Sequence, residues 1–421
     1  MTTPSNLRHA VPIIAGLCAI YILAHFYRVS TGVIAPDIMA ETGIGPEAMG
    51  GLSSAFFFAF ALFQIPVGIL LDRFGPRMVV PALLVFAVAG AFVFAMSSTA
   101  TGLTIGRAMM GMGTASILMG SLVVATRWFP PDRFAAVASF FVAMGTLGAL
   151  LATTPLAAIS EAVGWRSAFY LMGGVTLVFG VVAFSVVRDA PPGHAYLQRR
   201  PESLRQVVHG LGEVLRNSQL KYIVAVNSVG YGAVLAITAL WGGPYLAKVY
   251  GLEPIGRGNI LLLMTLGQVV GHLTYGRLDR ILDTRKNLIV FGVAVSIALL
   301  TVLALVPNLP LWAVTTIFIT FGIASGYTVI ITTHGRAIFP ERLVGRGMTT
   351  NNTSVFLGAA LIQGITGAII GSFPTEFGET PAVAYRAMFG FLAAVQIIAL
   401  LIYSQAKDVR PSDDMARQSS D

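Results

Sequence analysis

Arg28 and Arg107 each sit inside a long apolar run of a 421-residue chain, and no Asp or Glu lies within any of those runs. A guanidinium stays charged and carries its N–H donors in a rigid fork, so it is costly in an apolar medium and well shaped to grip a carboxylate. The chemistry that the pair suggests is recognition of a small anionic ligand. The plainer alternative is a packing residue bonded to backbone carbonyls, or a side chain snorkelling to the interface. Tyr21, His25 and Arg28 are spaced by four and three residues and share one helix face. At the rise of an α-helix, Arg28 lies roughly 12 Å from Pro36 and Arg107 roughly 9 Å from Thr101, which sets the two charges at similar depth. His25 is the candidate proton carrier, because its charge can change near neutral pH. A neutral histidine bonded to a neighbouring helix is the alternative, and it applies equally to His272 and His334.

The elements that must position these residues are membrane-spanning helices. Hydrophobic residues make up 55% of the chain and charged residues 11%, a composition that excludes an ordinary soluble enzyme. Apolar stretches of helical length fall near 11–34, 48–71, 78–97, 101–126, 134–160, 166–187, 219–246, 257–276, 287–306, 310–334, 345–372 and 383–404. The expected fold is an all-α membrane protein of twelve transmembrane helices in two pseudo-symmetric six-helix bundles. The net charge of +8 follows topology rather than nucleic-acid binding. Arg73, Arg77, Arg127, Arg133, Arg277, Arg280, Arg285, Lys286, Arg336, Arg342 and Arg346 crowd one side, which marks it as cytoplasmic. The other side carries Asp37, Glu41, Glu47, Glu376 and Glu379, with Arg166, Lys248, Arg257 and Arg386 as its main basic residues. Both termini are expected in the cytoplasm of a bacterial cell, with the first hydrophobic run retained as a helix. The single cysteine, Cys18, can form no intramolecular disulfide and reads as packing.

The expected organisation is a first bundle over 1–187, a cytoplasmic linker over 188–218, a second bundle over 219–404 and a tail over 405–421. Pro191, Pro192, Arg199, Arg200 and Pro201 break the hydrophobic pattern in the linker. Leu204, Val207, Val208, Leu211 and Leu215 recur there at helical spacing against Arg205, Glu213 and Arg216, which reads as an amphipathic helix on the inner leaflet or as a solvated tether. The halves repeat weakly. Arg127-Trp128-Phe129-Pro130-Pro131-Asp132-Arg133 is echoed by Arg336-Ala337-Ile338-Phe339-Pro340-Glu341-Arg342, and Asp72-Arg73 by Asp279-Arg280.

Gly68-Ile69-Leu70-Leu71-Asp72-Arg73-Phe74-Gly75-Pro76-Arg77 resembles the signature that the major facilitator superfamily carries between its second and third helices. The resemblance implies a conformational latch: Gly68 permitting close helix approach, Asp72 offering a carboxylate to a helix N-terminus, and Arg73 and Arg77 pairing across the cytoplasmic face. Gly276-Arg277-Leu278-Asp279-Arg280 is its degraded copy. The run Arg107-Ala108-Met109-Met110-Gly111-Met112-Gly113 is similar to the superfamily's fourth-helix pattern, and Gly164-Trp165-Arg166 is common in it. Arg28 followed by Val29-Ser30, the run Gln64-Ile65-Pro66-Val67-Gly68, and Arg107 together resemble the anion:cation symporter branch, mainly over the N-terminal half. Members often place an acidic residue before the first arginine and another after the fourth-helix arginine for proton coupling. Here those places hold Tyr27 and Thr114, which leaves His25 or the substrate to carry any proton.

In the second half Asn227, Tyr231, Gln268 and Tyr327 are uncharged polar handles for the rest of a ligand, or else interhelical bonds, with Asn351, Asn352, Gln363 and Trp241 as weaker candidates. The reading is a monomeric secondary transporter of a small organic carboxylate that works by alternating access across a bacterial inner membrane. Proton symport, facilitated transport and anion exchange stay open. The rivals are an exporter of drugs or metabolites on the same fold and a transporter-shaped membrane sensor. No cofactor, metal site or nucleic-acid partner is expected, and no nucleophile or paired carboxylates within a span suggest an enzyme.

Overall fold

The computed structural model describes residues 4–129, 131–191, 204–374 and 380–412, and every regular element among them is a helix. Pro130, Pro192, Arg199, Arg200, Pro201, Glu376, Glu379 and the tail from residue 413 lie outside the described residues. The helices are α1 (Pro4–Val29), α2 (Thr31–Thr42), α3 (Pro46–Phe74), α4 (Pro76–Met96), α5 (Ala100–Thr114), α6 (Ile117–Trp128), α7 (Pro131–Leu151), α8 (Thr154–Val163), α9 (Trp165–Val186) and α10 (Leu204–Leu215). They continue as α11 (Leu220–Ala236), a π-helical turn (Ile237–Trp241), α12 (Gly242–Tyr250), α13 (Pro254–Leu282), α14 (Lys286–Leu305), α15 (Leu311–Ala324), α16 (Tyr327–Ala337), α17 (Glu341–Gly371) and α18 (Ala382–Tyr403).

Eleven spans among the described residues are long and apolar enough to cross a membrane. The twelfth, α13, has the length but carries Arg257, Gln268, His272, Arg277, Asp279 and Arg280, which dilute its apolar character. Several spans contain two helices joined by a short break. α5 and α6 meet at Ala115–Ser116, and α15 and α16 meet at Ser325–Gly326. The fourth span of each half is therefore broken at a matching place.

Each half also treats the ends of its third span alike. The α4 N-terminus receives the Asp189 carboxylate, whose Oδ1 accepts from the Arg77 amide at 2.8 Å. Gly75 just before it has φ 76°, and a Cβ there would lie 2.6 Å from that carboxylate, so glycine is required on both counts. At the other end of α4, Arg166 donates to the carbonyls of Ala95 and Ser97 at 2.6 and 2.7 Å. In the second half the Asp408 carboxylate accepts from the amides of Arg285 and Lys286 and from Thr284 Oγ1 at the start of α14. Arg386 caps the carbonyls of Ala304 and Leu305 at the α14 C-terminus. Anions at the positive end of the helix dipole and cations at the negative end also satisfy the unpaired backbone groups there. Asp189→Ala is expected to cost about 1–2 kcal/mol as a lost helix cap, read as a lower melting temperature of the purified protein.

Contacts group the chain into one unit of Met1–Thr31 with Ala55–Ser203 and a second of Gly32–Ser54 with Leu204–Asp421. This differs from a simple cut at the linker. The cause is close backbone packing: a Cβ on Gly32 would meet the Thr238 carbonyl, and one on Gly243 would meet the Gly32 carbonyl. Arg257 on α13 then donates from Nε to the Val33 carbonyl at 2.9 Å and from Nη2 to Asp37 Oδ2 at 2.6 Å.

The linker does form a helix, α10, but its last turn packs on protein. Val214 is buried with Leu220, Phe339 and Leu343, and the Arg346 side chain lies over Gly210.

Candidate functional site

The first unit assembles Arg28, Arg107 and the rings beneath them. Gly111 starts the assembly, since any side chain there would strike the Phe56 carbonyl, so its absence lets α5 press against α3. One turn earlier on α5, the Arg107 guanidinium consequently lies over the Phe56 ring, with Cζ 4.5 Å from its centroid. One turn further along α3, Phe60 underlies Arg28 at 5.1 Å. A helical turn advances about 5.4 Å, so the two guanidinium groups stack on rings that lie about one turn apart on the same helix.

Arg107 has 0% and Arg28 6% of its surface exposed. Arg107 Nη1 donates to the Tyr27 carbonyl at 2.6 Å, whereas its Nε and Nη2 are buried without a hydrogen-bond partner among the described residues. The Tyr27 hydroxyl bonds Thr176 of α9 at 2.8 Å, which fixes the stretch of α1 that supplies the carbonyl. Gln64, a further turn along α3 beyond Phe60, donates from Nε2 to the Ala115 carbonyl at the α5–α6 break.

His25 meets Arg28 directly, with Nη1 to Nε2 at 3.1 Å. Because arginine can only donate, Nε2 accepts, and the imidazole is neutral at that nitrogen. Tyr21 packs edge-on to His25 at 4.5 Å between ring centroids, and both rings rest against Gly145 of α7. Tyr21 thus supports His25 from the side.

The second unit holds the other sequence candidates. Asn227 donates to Asn351 Oδ1 at 3.2 Å, an interhelical bond between α11 and α17. Tyr231 packs edge-on to Phe356 at 6.0 Å, the buried Tyr327 hydroxyl lies against Gly230, and Gln268 is half-buried on α13. The Tyr327 hydroxyl of α16 thus meets α11 about one turn from Asn227. Trp241 donates to Thr366 at 2.8 Å, and Gln363 reaches the Leu235 carbonyl at 3.3 Å beside the π-helical turn.

The motif after the second span departs from expectation in detail. A Cβ on Gly68 would meet no atom within 4 Å, so that glycine mediates no close helix approach in this conformation. The carboxylate at the α4 N-terminus comes from Asp189, while Asp72 and Arg73 are exposed. Arg73 stacks near Phe74 and Arg77 near Phe184. In the second unit Asp279 is buried 3.6 Å from Arg285 Nε, and Arg280 is exposed. Three features escaped the sequence reading: the Phe56/Phe60 pair, Asp189 with Asp408, and the role of Arg257. Phe56, Phe60 and Gln64 do share an i, i+4, i+8 face with the charged helices, but in a span rich in phenylalanine that spacing is indistinguishable from lipid-facing bulk.

Comparison with known proteins places this geometry in context. The sequence profile of the Major Facilitator Superfamily matches residues 17–333 and 244–418. The chain is 24% identical over 407 residues to the D-galactonate transporter of Escherichia coli O6:H1, covering 90% of this chain and 93% of that protein. It is 25% identical over 301 residues to the "Probable sulfoacetate transporter SauU" of Cupriavidus necator, covering 68% and 70%. It is 32% identical over 170 residues to the nitrate/nitrite transporter NrtP of Nostoc punctiforme, covering 38% and 34%. Among solved structures, a bacterial homologue of the human lysosomal transporter Spinster superposes with a TM-score of 0.76 at 16% identity, covering 96% of this chain and 97% of that one.

Proposed function

We propose that this chain, which belongs to the Major Facilitator Superfamily, carries a small organic anion across a bacterial inner membrane by alternating access, with Arg28 and Arg107 as its anion ligands. It is a multi-pass membrane transporter and not an enzyme. The observation that carries the substrate class is Arg107: a fully buried guanidinium with two nitrogens unpartnered among the described residues, and no Asp or Glu within the apolar runs 11–34, 48–71 and 101–126 around it. An uncompensated buried cation is unfavourable by several kcal/mol, and a carboxylate is the natural group to offset it. The relatives named for galactonate and sulfoacetate support a carboxylate or sulfonate. The nitrate relative supports a second reading, an inorganic anion, because its match is confined to about a third of either chain but is the higher in identity. The basic loops support both termini facing the cytoplasm. A thermal-shift panel of galactonate, sulfoacetate and nitrate on purified protein tests the class. Stabilisation by an organic anion supports the proposal, and stabilisation by nitrate alone replaces it with the inorganic reading.

Proton coupling would run through His25. A proton on Nε2 removes the acceptor that Arg28 now uses, and an anion gives Arg28 another partner. Proton and anion therefore favour each other's binding, which is the thermodynamic requirement for symport. His25→Gln keeps an acceptor for Arg28 but cannot titrate. It is expected to abolish accumulation driven by a pH gradient in proteoliposomes while counterflow exchange continues. Unchanged accumulation would remove His25 from the mechanism.

A further inference from the structure

Phe56 and Phe60 stand one turn apart on α3, each under one of the two membrane-embedded guanidinium groups. We propose that these two rings act as built-in counter-charges for Arg107 and Arg28 when the anion site is empty, so that the carrier can reorient without cargo. This rests on the reading of the arginines as anion ligands, and it goes beyond that reading by assigning the empty half of the cycle to named residues.

The argument starts from the geometry. A phenylalanine ring has a negative face, and a guanidinium lying over it is attracted through its flat side. Hydrogen bonds leave the same group through its edge, in the plane of the fork. A ring and an anion can therefore be held by different parts of Arg107: Phe56 lies 4.5 Å from Cζ, Nη1 goes to the Tyr27 carbonyl, and Nε and Nη2 are buried with no hydrogen-bond partner among the described residues. When the anion is bound it neutralises the charge, and the ring's attraction for the pair falls. When the anion has left, the ring and the Tyr27 carbonyl carry the compensation at Arg107. The rings thus stabilise the empty site more than the loaded one. Their presence weakens anion binding slightly, and because they stay over the guanidinium groups when the empty site closes off from water, where the charge most needs compensation, they lower the barrier for the empty carrier to return. An obligatory exchanger has no need of this device, whereas a carrier that performs net uptake must cross the membrane empty once per cycle.

Fluorination of phenylalanine withdraws charge from the ring face while leaving its shape nearly unchanged, so it separates electrostatics from packing. Phe56 is replaced in turn by its 4-fluoro, 3,5-difluoro and 3,4,5-trifluoro analogues, and Phe60 likewise, in the full-length protein. Galactonate and sulfoacetate serve as probes. Along each series the anion dissociation constant is expected to fall, by roughly 2- to 30-fold in total. Net uptake into proteoliposomes is expected to slow, while counterflow exchange, which does not use the empty carrier, keeps its rate. Phe56→Leu is expected to move net uptake and exchange apart in the same sense. A dissociation constant that is flat or rises along the series, or uptake and exchange falling together, overturns the counter-charge role and leaves the anion site standing. Wild-type protein that binds neither probe, with Arg107→Lys indistinguishable from it, overturns the anion site and the counter-charges together.

Discussion

Arg107→Lys is expected to weaken anion binding by about 10- to 100-fold, the equivalent of one or two charge-assisted hydrogen bonds, while the protein still folds. Lysine keeps the positive charge, so a purely electrostatic role would survive the change. What it loses is the planar fork. One branch of that fork is committed to the Tyr27 carbonyl, and Nε and Nη2 have no hydrogen-bond partner among the described residues. A single ammonium cannot hold the carbonyl and grip a carboxylate through two further donors at once. It also stacks less well on Phe56 than a flat guanidinium does. Arg28→Lys should have the same direction and a smaller size, because one Arg28 donor is already engaged by His25. Arg107→Met separates this role from packing. It removes a buried charge in favour of an apolar side chain of similar length, so the ligand-free protein should not lose melting temperature, whereas the anion-induced shift should vanish. Calorimetric titration with galactonate or sulfoacetate, set beside thermal melts of each variant without ligand, measures both quantities. Full-strength binding in both lysine variants would remove the arginines from the site.

How far this could be read from the chain depends on what each feature rests on. The spans were legible because bilayer thickness fixes the length of an apolar helix, and the burial of Arg28 and Arg107 was legible because a charge inside an apolar run is rare enough to stand out. Helix breaks at Ala115–Ser116 and Ser325–Gly326 were not legible, since each span reads as one continuous apolar run. The carboxylate at the α4 N-terminus is that of Asp189, which sits more than a hundred residues away in a stretch that reads only as the start of a linker. A capping carboxylate has no periodicity to betray it. The same holds for Asp408 and for the two capping arginines, which looked like ordinary loop charges. His25 illustrates the intermediate case. Its face brings Arg28 within reach three residues on, while the edge-on packing of Tyr21 and the contact of both rings with α7 leave no trace in the residue pattern. Contacts made through backbone carbonyls, such as Arg107 to Tyr27 and Arg257 to Val33, leave no trace in residue types at all.

The second large effect is expected at Asp37 and Arg257. Arg257 has 4% of its side chain exposed and meets Asp37 at 2.6 Å, while 29% of the Asp37 side chain is exposed. Removing the carboxylate strands a buried guanidinium on the Val33 carbonyl alone, a change typically worth about 3 kcal/mol or more when both partners are dry. The partial exposure of Asp37 puts the expected loss at or below that figure. Asp37→Ala should therefore lower the melting temperature, and adding Arg257→Met should recover part of the loss, because the apolar replacement removes the stranded charge. The pair also ties Gly32–Ser54 to helices of the second half of the sequence, alongside the close packing of Gly32 on Thr238. In the alternating-access cycle proposed above, the end of the first span lets go of those helices once per turnover. Breaking the ion pair should then raise the population in which that segment is released. A Val33→Cys reporter reads this: Val33 is 1% exposed, and Cys18, itself buried, is replaced by Ala beforehand. In Asp37→Ala the reporter is expected to react with a membrane-impermeant maleimide several-fold faster than in the otherwise native protein, and in the double variant at an equally raised rate despite its recovered stability. A labelling rate that tracks melting temperature rather than the presence of the ion pair would reduce Arg257 to a structural residue. A rate unchanged in all variants would show that the glycine packing holds the segment without it.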